Sequence, residues 1–155
     1  MATFPAFSLP VTGGGTLARR DLTGSRYVIY CYPKDLTPGC TTESCDFRDN
    51  LSRLQTAGIR VFGLSPDPIA KHERFIAKHD LNFPLLSDTE HVLLEKLGVW
   101  KEKSLYGRTY MGVERSTFVV GPDHQIEREW RRVKVKGHVD EVLAFCSGDA
   151  VPRPP

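Results

Sequence analysis

Apolar runs suited to buried strands alternate with helical segments along this 155-residue chain. The run YVIYCY at 27–32 predicts a buried strand, a helical pattern follows over 38–57, and IRVFGLS at 59–65 predicts a second buried strand. Strand, helix and strand in this order form a right-handed parallel crossover. This pattern restricts the chain to α/β folds with parallel strands near the centre of the sheet.

The remaining segments extend the same pattern. Helices are predicted at 67–80, 89–99 and 138–146, and strands at 83–88, 115–120 and 125–130. The last two strands are predicted to pair as a hairpin, and the glycine run 13–15 indicates another hairpin near the N-terminus. The tail 148–155 is predicted to be flexible. We therefore predict one α/β domain over 1–155, with a mixed central sheet flanked by helices and an N-terminal β-hairpin extension.

Composition narrows the classes of function. The formal net charge of +2 is too small to indicate nucleic-acid binding, and the basic segment 128–136 alternates with apolar residues, as on a solvated strand face. No stretch approaches the roughly 20 apolar residues of a membrane helix, and the N-terminus lacks the pattern of a secretory signal. We expect a cytoplasmic protein without nucleic-acid or membrane partners, whose four cysteines are catalytic or metal-binding thiols rather than structural disulfides.

Cys40 stands where a helix is predicted to begin. Thr37 is a preferred N-cap residue and Pro38 a preferred first helical residue, which makes Cys40 the third residue of the helix. Unpaired backbone N–H groups and the positive end of the helix dipole favour an anion there. The position therefore favours the thiolate of Cys40, which is the nucleophilic form.

A second cysteine, Cys45, lies five residues further along the same helix. Phe47, Leu51 and Leu54 mark the face of the helix that is directed to the core. Cys40 precedes Phe47 by seven residues and shares this face, whereas Cys45 is rotated from it by roughly 200°. We expect Cys40 to be buried and Cys45 to point away from the core.

The spacing of the two cysteines excludes a disulfide in an intact helix. Five helical residues separate the Cα atoms by roughly 8.6 Å, whereas a disulfide needs Cα atoms within about 7 Å. Either the two thiols are redox partners that meet when the first turns unwind, or they are unrelated thiols on one helix. The spacing alone leaves both interpretations open.

The segment around these cysteines resembles a known family. YPKDLTPGCTTESCDFRDN at 32–50 is similar to the active-site signature of the peroxiredoxins, P-x-x-x-T-x-x-C, whose residues are here Pro33, Thr37 and Cys40. A second cysteine at position 45 resembles the bacterioferritin comigratory protein group, also called PrxQ. Further similarity lies at 85–88, 98–100, 114–120 and 134–143. The resemblance covers nearly the whole chain.

This resemblance implies a thioredoxin-like fold and an enzyme that reduces hydrogen peroxide and organic hydroperoxides through a cysteine sulfenic acid. It implies that Cys40 is the peroxidatic cysteine and Cys45 the resolving cysteine, which form an intramolecular disulfide. Thr37 and Arg115 would hold the thiolate and the peroxide, and Pro33 would shield the pocket. Thioredoxin, or in some members glutaredoxin, would regenerate the enzyme. No metal or organic cofactor is implied, and a monomer suffices because both cysteines lie on one helix.

Other reactive residues have simpler interpretations. Cys31 is expected to be a buried strand residue, and Cys146 a partly exposed cysteine without a catalytic role. Glu43 is either a surface charge or a residue that supports the site from behind. His72 and His79 are expected to be solvated, because no third metal ligand stands at a suitable spacing.

Two other functions remain alternatives. A thioredoxin-like protein disulfide oxidoreductase would use two cysteines separated by two residues, whereas four residues separate Cys40 and Cys45. A non-catalytic zinc or binding module would be recognised by its zinc content. The C-x4-C spacing therefore favours the peroxidase over the disulfide oxidoreductase.

Overall fold

Apart from one additional hairpin, strands and helices alternate in the order that the sequence predicts. The computed structural model describes residues 2–148. The strands are β1 (Ser8–Pro10), β2 (Thr16–Ala18), β3 (Arg26–Cys31), β4 (Ile59–Ser65), β5 (Leu85–Ser87), β6 (Trp100–Leu105), β7 (Arg108–Val113), β8 (Ser116–Val120) and β9 (Ile126–Trp130). The α-helices are α1 (Pro38–Thr56), α2 (Ile69–His79), α3 (Val92–Lys96) and α4 (His138–Ser147), and a short 3-10 helix spans Arg19–Leu22.

The central sheet has five strands in the order β5-β4-β3-β8-β9. Strands β3, β4 and β5 are parallel, while β8 pairs antiparallel with both β3 and β9. The side chains of β3 alternate between two cores, one packed against α1, α2 and α4 and the other against α3 and the N-terminal segment. The predicted mixed sheet flanked by helices is confirmed. Among residues 2–148, none of the helices is sufficiently long and apolar to span a bilayer.

The N-terminal hairpin is confirmed as well. Strands β1 and β2 pair antiparallel, with Leu9 opposite Leu17. The turn between them contains Gly13, Gly14 and Gly15, all with φ between 75° and 103°, which is a conformation that glycine adopts without steric cost. At the other end of the chain, α4 ends at Ser147, and residues 149–155 of the predicted flexible tail lie outside the described residues.

The middle of the chain differs from the sequence analysis in two places. The helix predicted at 89–99 is only Val92–Lys96, because the Asp88 carboxylate accepts the N–H groups of Val92 and Leu94 and starts the helix late. The second difference is the hairpin of β6 and β7, to which the sequence analysis assigned no structure. This hairpin forms a sheet of its own, and its polar, largely exposed residues lack the alternation of a half-buried strand.

Gly63, in the middle of β4, is required by close packing. A Cβ atom there would lie 2.6 Å from Leu85 Cδ2 and 2.9 Å from the Tyr30 hydroxyl oxygen. Both neighbours are fully buried, so neither can move without disturbing the core. We expect Gly63→Ala to lower the free energy of unfolding by about 1–3 kcal/mol, measured by urea denaturation. Ser104→Ala, at an exposed strand position, should change it little, and an equal loss in both variants would contradict the packing argument.

Candidate active site

The active-site helix begins where the sequence predicts. Thr37 is the N-cap residue of α1, Pro38 follows, and Cys40 is the third helical residue, with only 1% of its surface exposed. The Thr37 hydroxyl donates to the carbonyl oxygen of Lys34 at 2.8 Å and does not cap the helix. The structure therefore gives the Thr37 side chain a partner other than the Cys40 sulfur. Pro33 is half-buried and follows β3 by two residues.

Arg115 lies directly beside Cys40. Its Nη2 donates to the Cys40 Sγ at 3.2 Å. The antiparallel pairing of β3 and β8 places Cys31 opposite Ser116, and this register brings Arg115 to the end of β3 from which the chain continues into α1. Arg115 and Cys40, which are 75 positions apart in sequence, are in contact because of this strand register.

Glu43 holds the other side of the same guanidinium. Arg115 Nη1 donates to Glu43 Oε1 at 2.6 Å, and Glu43 is completely buried. Its second carboxylate oxygen, Oε2, has no hydrogen-bond partner. Burial raises the pKa of Glu43 to about 7, although the charge of Arg115 opposes this shift. The interpretation of Glu43 as a surface charge was wrong, and its alternative, a group supporting the site from behind, agrees with these contacts.

The charged groups of the site shift the pKa values of Arg115 and Lys103. Burial works against the charge of Arg115, but Glu43 and Cys40 together keep its pKa above the usual value. Lys103, in β6, is a cation that the sequence analysis missed. Burial and then the charge of Arg115 lower the pKa of Lys103, while the charge of Cys40 opposes this effect. No sequence signal singles out Lys103, since it lies in a hairpin that was not predicted.

A second contact fixes α1 just after Cys40. The Tyr30 and Ser44 hydroxyl groups are 2.8 Å apart, both residues are fully buried, and the Tyr30 ring stacks on Phe47 with 4.5 Å between ring centroids. Burial raises the pKa of the Tyr30 hydroxyl well above its usual value, so it stays neutral. Tyr30 belongs to β3, and the contact therefore ties the second turn of the helix to the central strand.

All four cysteines are free thiols. Cys45 is half-buried and lies in the same uninterrupted helix as Cys40, as predicted. Cys31 is fully buried, and burial raises its pKa. Cys146 is also buried, so the expectation of partial exposure was wrong, and burial raises its pKa to about 11. A high pKa makes both structural cysteines poor nucleophiles at neutral pH.

The two histidines of α2 were predicted to be solvated, and neither is fully exposed in the structure. His72 is completely buried, and its Nδ1 lies 2.5 Å from Asp35 Oδ2, whereas His79 is half-buried. The analysis missed this because Asp35 is 37 residues away in sequence. One oxygen each of Asp35 and Asp67 and one nitrogen of His72 lie within 4.8 Å of one another. The Asp35 carboxylate is hydrogen-bonded to His72, and Asp67 accepts the backbone N–H of Asp35.

Comparison with known proteins identifies the family of this chain. A model of the AhpC/TSA family matches residues 2–129. Peroxiredoxin Bcp of Bacillus subtilis (strain 168) is 48% identical over 139 residues, which are 90% of this chain and 88% of that protein. The chain belongs to the AhpC/TSA family. It is a peroxiredoxin, that is, a thiol peroxidase, and it is similar to peroxiredoxins of the Bcp group.

Other relatives agree with this assignment of the peroxiredoxin. Peroxiredoxin Bcp of Escherichia coli (strain K12) is 45% identical over 146 residues, with 94% of each chain covered. The structure of Xanthomonas campestris peroxiredoxin Q superposes with a TM-score of 0.88 at 44% identity, covering 96% of this chain and 94% of that one. Another structure describes alkyl peroxide reduction by the Xanthomonas campestris bacterioferritin comigratory protein, with the same TM-score and identity, covering 95% and 93%. The predicted thioredoxin-like fold is thereby confirmed.

Proposed function

We propose that Cys40 is the peroxidatic cysteine of this peroxiredoxin. The contact between Arg115 Nη2 and the Cys40 sulfur, at 3.2 Å, carries the proposal. The Cys40 thiolate attacks the nearer peroxide oxygen, so that an S–O bond forms and the O–O bond breaks. The leaving oxygen departs as hydroxide or alkoxide, and with protons from solvent the products are a Cys40 sulfenic acid and water or an alcohol. The thiolate is oxidised and the peroxide is reduced.

Arg115 suits this step because its guanidinium keeps its charge at any relevant pH and holds its donors in a fixed plane. A guanidinium stays protonated at any relevant pH and presents several donors in one plane. Glu43 holds Nη1, which directs Nη2 to the sulfur and to an incoming peroxide oxygen. Thr37 is proposed to orient the peroxide with its hydroxyl, which must then leave its partner, the Lys34 carbonyl. Pro33 is proposed to limit access of water to the pocket.

Cys45 is proposed to resolve the sulfenic acid. The Cys45 sulfur attacks the Cys40 sulfur, the S–S bond forms as the S–O bond breaks, and water is released. Both residues lie in the helix α1, which must unwind locally because helical geometry keeps their Cα atoms roughly 8.6 Å apart. Resolution by this route ends the reactive state before a second peroxide converts the sulfenic acid to sulfinic acid.

The substrates, the reductant, the oligomeric state and the location are proposed from the same reaction cycle. The substrates are proposed to be hydrogen peroxide and alkyl hydroperoxides, and the reductant thioredoxin, with glutaredoxin as the alternative. The chain is proposed to act as one domain and as a monomer, because the cycle requires the cysteines of one chain only. The location is proposed to be the cytoplasm, which keeps cysteines reduced.

Mapping the oxidation products tests the proposal. Fully reduced protein is mixed with one equivalent of hydrogen peroxide, quenched rapidly with a thiol-blocking reagent, and analysed by mass spectrometry. We expect rapid formation of a Cys40–Cys45 disulfide in the native sequence. In Cys45→Ser, sulfenic acid should accumulate at Cys40 instead, while Cys146→Ser serves as the control and should behave like the native protein. Slow oxidation spread over all four cysteines would refute the assignment of Cys40.

A further inference from the structure

The loop over residues 33–37, between β3 and α1, carries two residues of the proposed peroxide pocket. They are Pro33, proposed to limit access of water, and Thr37, proposed to orient the peroxide. Asp35 lies midway between them, two residues from each, and within 33–37 it is the only buried residue. Between its two ends, the loop is therefore attached to the core through Asp35.

The side chain of Asp35 is bound by two buried partners. Its Oδ1 accepts the Tyr32 hydroxyl at 2.5 Å, and its Oδ2 lies 2.5 Å from His72 Nδ1. Tyr32 and His72 are both fully buried. His72 Nε2 lies 2.9 Å from the carbonyl oxygen of Leu86 in β5. A carbonyl oxygen only accepts hydrogen bonds, so Nε2 donates there, and a second proton lies between Nδ1 and the Asp35 carboxylate.

The backbone of Asp35 is held as well. Its N–H donates to Asp67 Oδ2 at 2.6 Å, and the same oxygen accepts the hydroxyl of Ser65, the last residue of β4, at 3.0 Å. Hydrogen bonds that involve charged groups and are shielded from water are stronger than neutral ones. The middle of the loop is therefore tied to β4 through Asp67 and to β5 through His72.

The strained backbone of Leu36 shows that the loop conformation is imposed from outside. Its φ is 66°, in the left-handed region, where a side chain with a Cβ atom is disfavoured. The side chain is 37% exposed, so burial of the leucine does not account for the conformation. Such strain persists only where the surrounding structure imposes it. If Asp35 were released, Leu36 would relax toward the extended region and displace its neighbour Thr37.

Different contacts hold the nucleophile and its cation. Cys40 is fixed by its place in α1, and Arg115 by its hydrogen bond to the buried Glu43. The side chain and backbone N–H of Asp35 instead bond to Tyr32, His72 and Asp67. Loss of the Asp35 contacts should therefore move the loop while the Cys40 sulfur keeps its environment.

We propose that Asp35 and His72 are positioning residues for peroxide reduction, which hold Pro33 and Thr37 against the peroxide that Cys40 attacks. This inference rests on the proposed function of Cys40. The reaction is the one given above, in which the S–O bond forms and the O–O bond breaks. Asp35 and His72 exchange no proton with the peroxide and act through the position of the loop.

Removing the Asp35 side chain tests the proposal. Asp35→Ala is expected to lower the second-order rate constant of Cys40 oxidation by hydrogen peroxide about 10- to 100-fold, because small displacements of positioning groups have effects of this size. The measurement is stopped-flow oxidation of the reduced protein. Alkylation of Cys40 by iodoacetamide, mapped by mass spectrometry, needs no positioned peroxide and should not slow. An unchanged peroxide rate, or an equal loss in both reactions, would overturn the inference.

Asp88→Ala is the matched control for loss of a buried carboxylate. Asp88 is 2% exposed, and its carboxylate accepts backbone N–H groups at the start of α3. The variant loses a buried polar group as Asp35→Ala does, but it leaves the loop over 33–37 in place. Both of its rate constants should equal those of the native protein. A loss of peroxide rate as large as that in Asp35→Ala would overturn the positioning role.

Two conservative variants separate the hydrogen bonds from the side chain as a whole. In Asp35→Asn the amide oxygen accepts the Tyr32 hydroxyl and the amide nitrogen donates to His72 Nδ1, so the peroxide rate should stay within about threefold of the native one. Tyr32→Phe keeps the buried ring and removes one donor, which should lower the rate about three- to tenfold. It supplies the test if Asp35→Ala does not fold. Asp35→Asn as slow as Asp35→Ala would contradict a role through these hydrogen bonds.

Failure of the proposed function would give a different result. If hydrogen peroxide left the Cys40 thiol of the native chain unoxidised, the assignment of Cys40 itself would be refuted. If the native chain were oxidised rapidly at Cys40, and Asp35→Ala and Tyr32→Phe were oxidised equally fast, only the positioning role of Asp35 and His72 would be overturned.

Discussion

Replacing Arg115 by glutamine is expected to lower the second-order rate constant of Cys40 oxidation by hydrogen peroxide about 100- to 1,000-fold, the usual effect of losing one preorganised donor in an active site. Arg115 Nη2 is the donor that contacts the Cys40 sulfur, at 3.2 Å. Its charge favours the thiolate and would favour the developing negative charge on the departing oxygen. The measurement is stopped-flow oxidation of the reduced protein under excess peroxide. The rate constant of Arg115→Lys should lie between those of the native protein and Arg115→Gln, because lysine keeps the charge but loses the paired donors.

The substitution also has a structural effect that must be separated from the chemical one. Without Arg115 the buried Glu43 carboxyl group loses its hydrogen-bond partner, and an unsatisfied buried polar group costs about 1–3 kcal/mol. The double variant Arg115→Gln with Glu43→Gln removes the ionisable group, so it should recover most of the unfolding free energy but none of the rate. Arg132→Gln is the control, since Arg132 is 89% exposed in its pair with Glu114. Full recovery of the rate in the double variant would show that Arg115 acts only through stability.

Glutamine at position 43 is expected to change how stability depends on pH. The pKa of Glu43 is raised from 4.5 to about 7, so the folded protein holds this proton more tightly than the unfolded chain does. The contribution of the Glu43 proton to the free energy of unfolding is fully present below pH 4.5 and is lost as the pH rises through 7. The difference between the two pKa values corresponds to about 3 kcal/mol. In Glu43→Gln this loss is absent, because the amide carries no titratable proton.

The test compares the free energies of unfolding of Glu43→Gln and the native protein between pH 4.5 and 8. We expect the variant to gain about 3 kcal/mol relative to the native protein over this range. Glu102→Gln, at an exposed position of β6, should follow the native protein throughout. A difference that stays constant with pH would show that Glu43 is ionised in the folded protein at every pH in the range.

Local signals in the sequence were sufficient for most of the fold. The apolar run of β3 and the Thr37–Pro38 start of α1 are patterns within a few residues, and each lies in the structure where it was predicted. The hairpin of β6 and β7 was missed because its exposed residues need no apolar alternation. The helix α3 was shortened by the side chain of Asp88, a contact that hydrophobic periodicity does not register.

In the active site, too, local patterns predicted some features and missed those that depend on tertiary contacts. That Cys40 is a buried residue in the first turn of a helix, and that Cys45 is five residues away on another face, was determined by the sequence alone, because helical geometry converts spacing into position. The meeting of Arg115 with Cys40 was decided by the tertiary structure, through the register of β8 on β3. The burial of Glu43 and the pairing of Asp35 with His72 were decided in the same way. Burial and long-range pairing depend on which surfaces pack together, and no pattern within one segment specifies its partner in another.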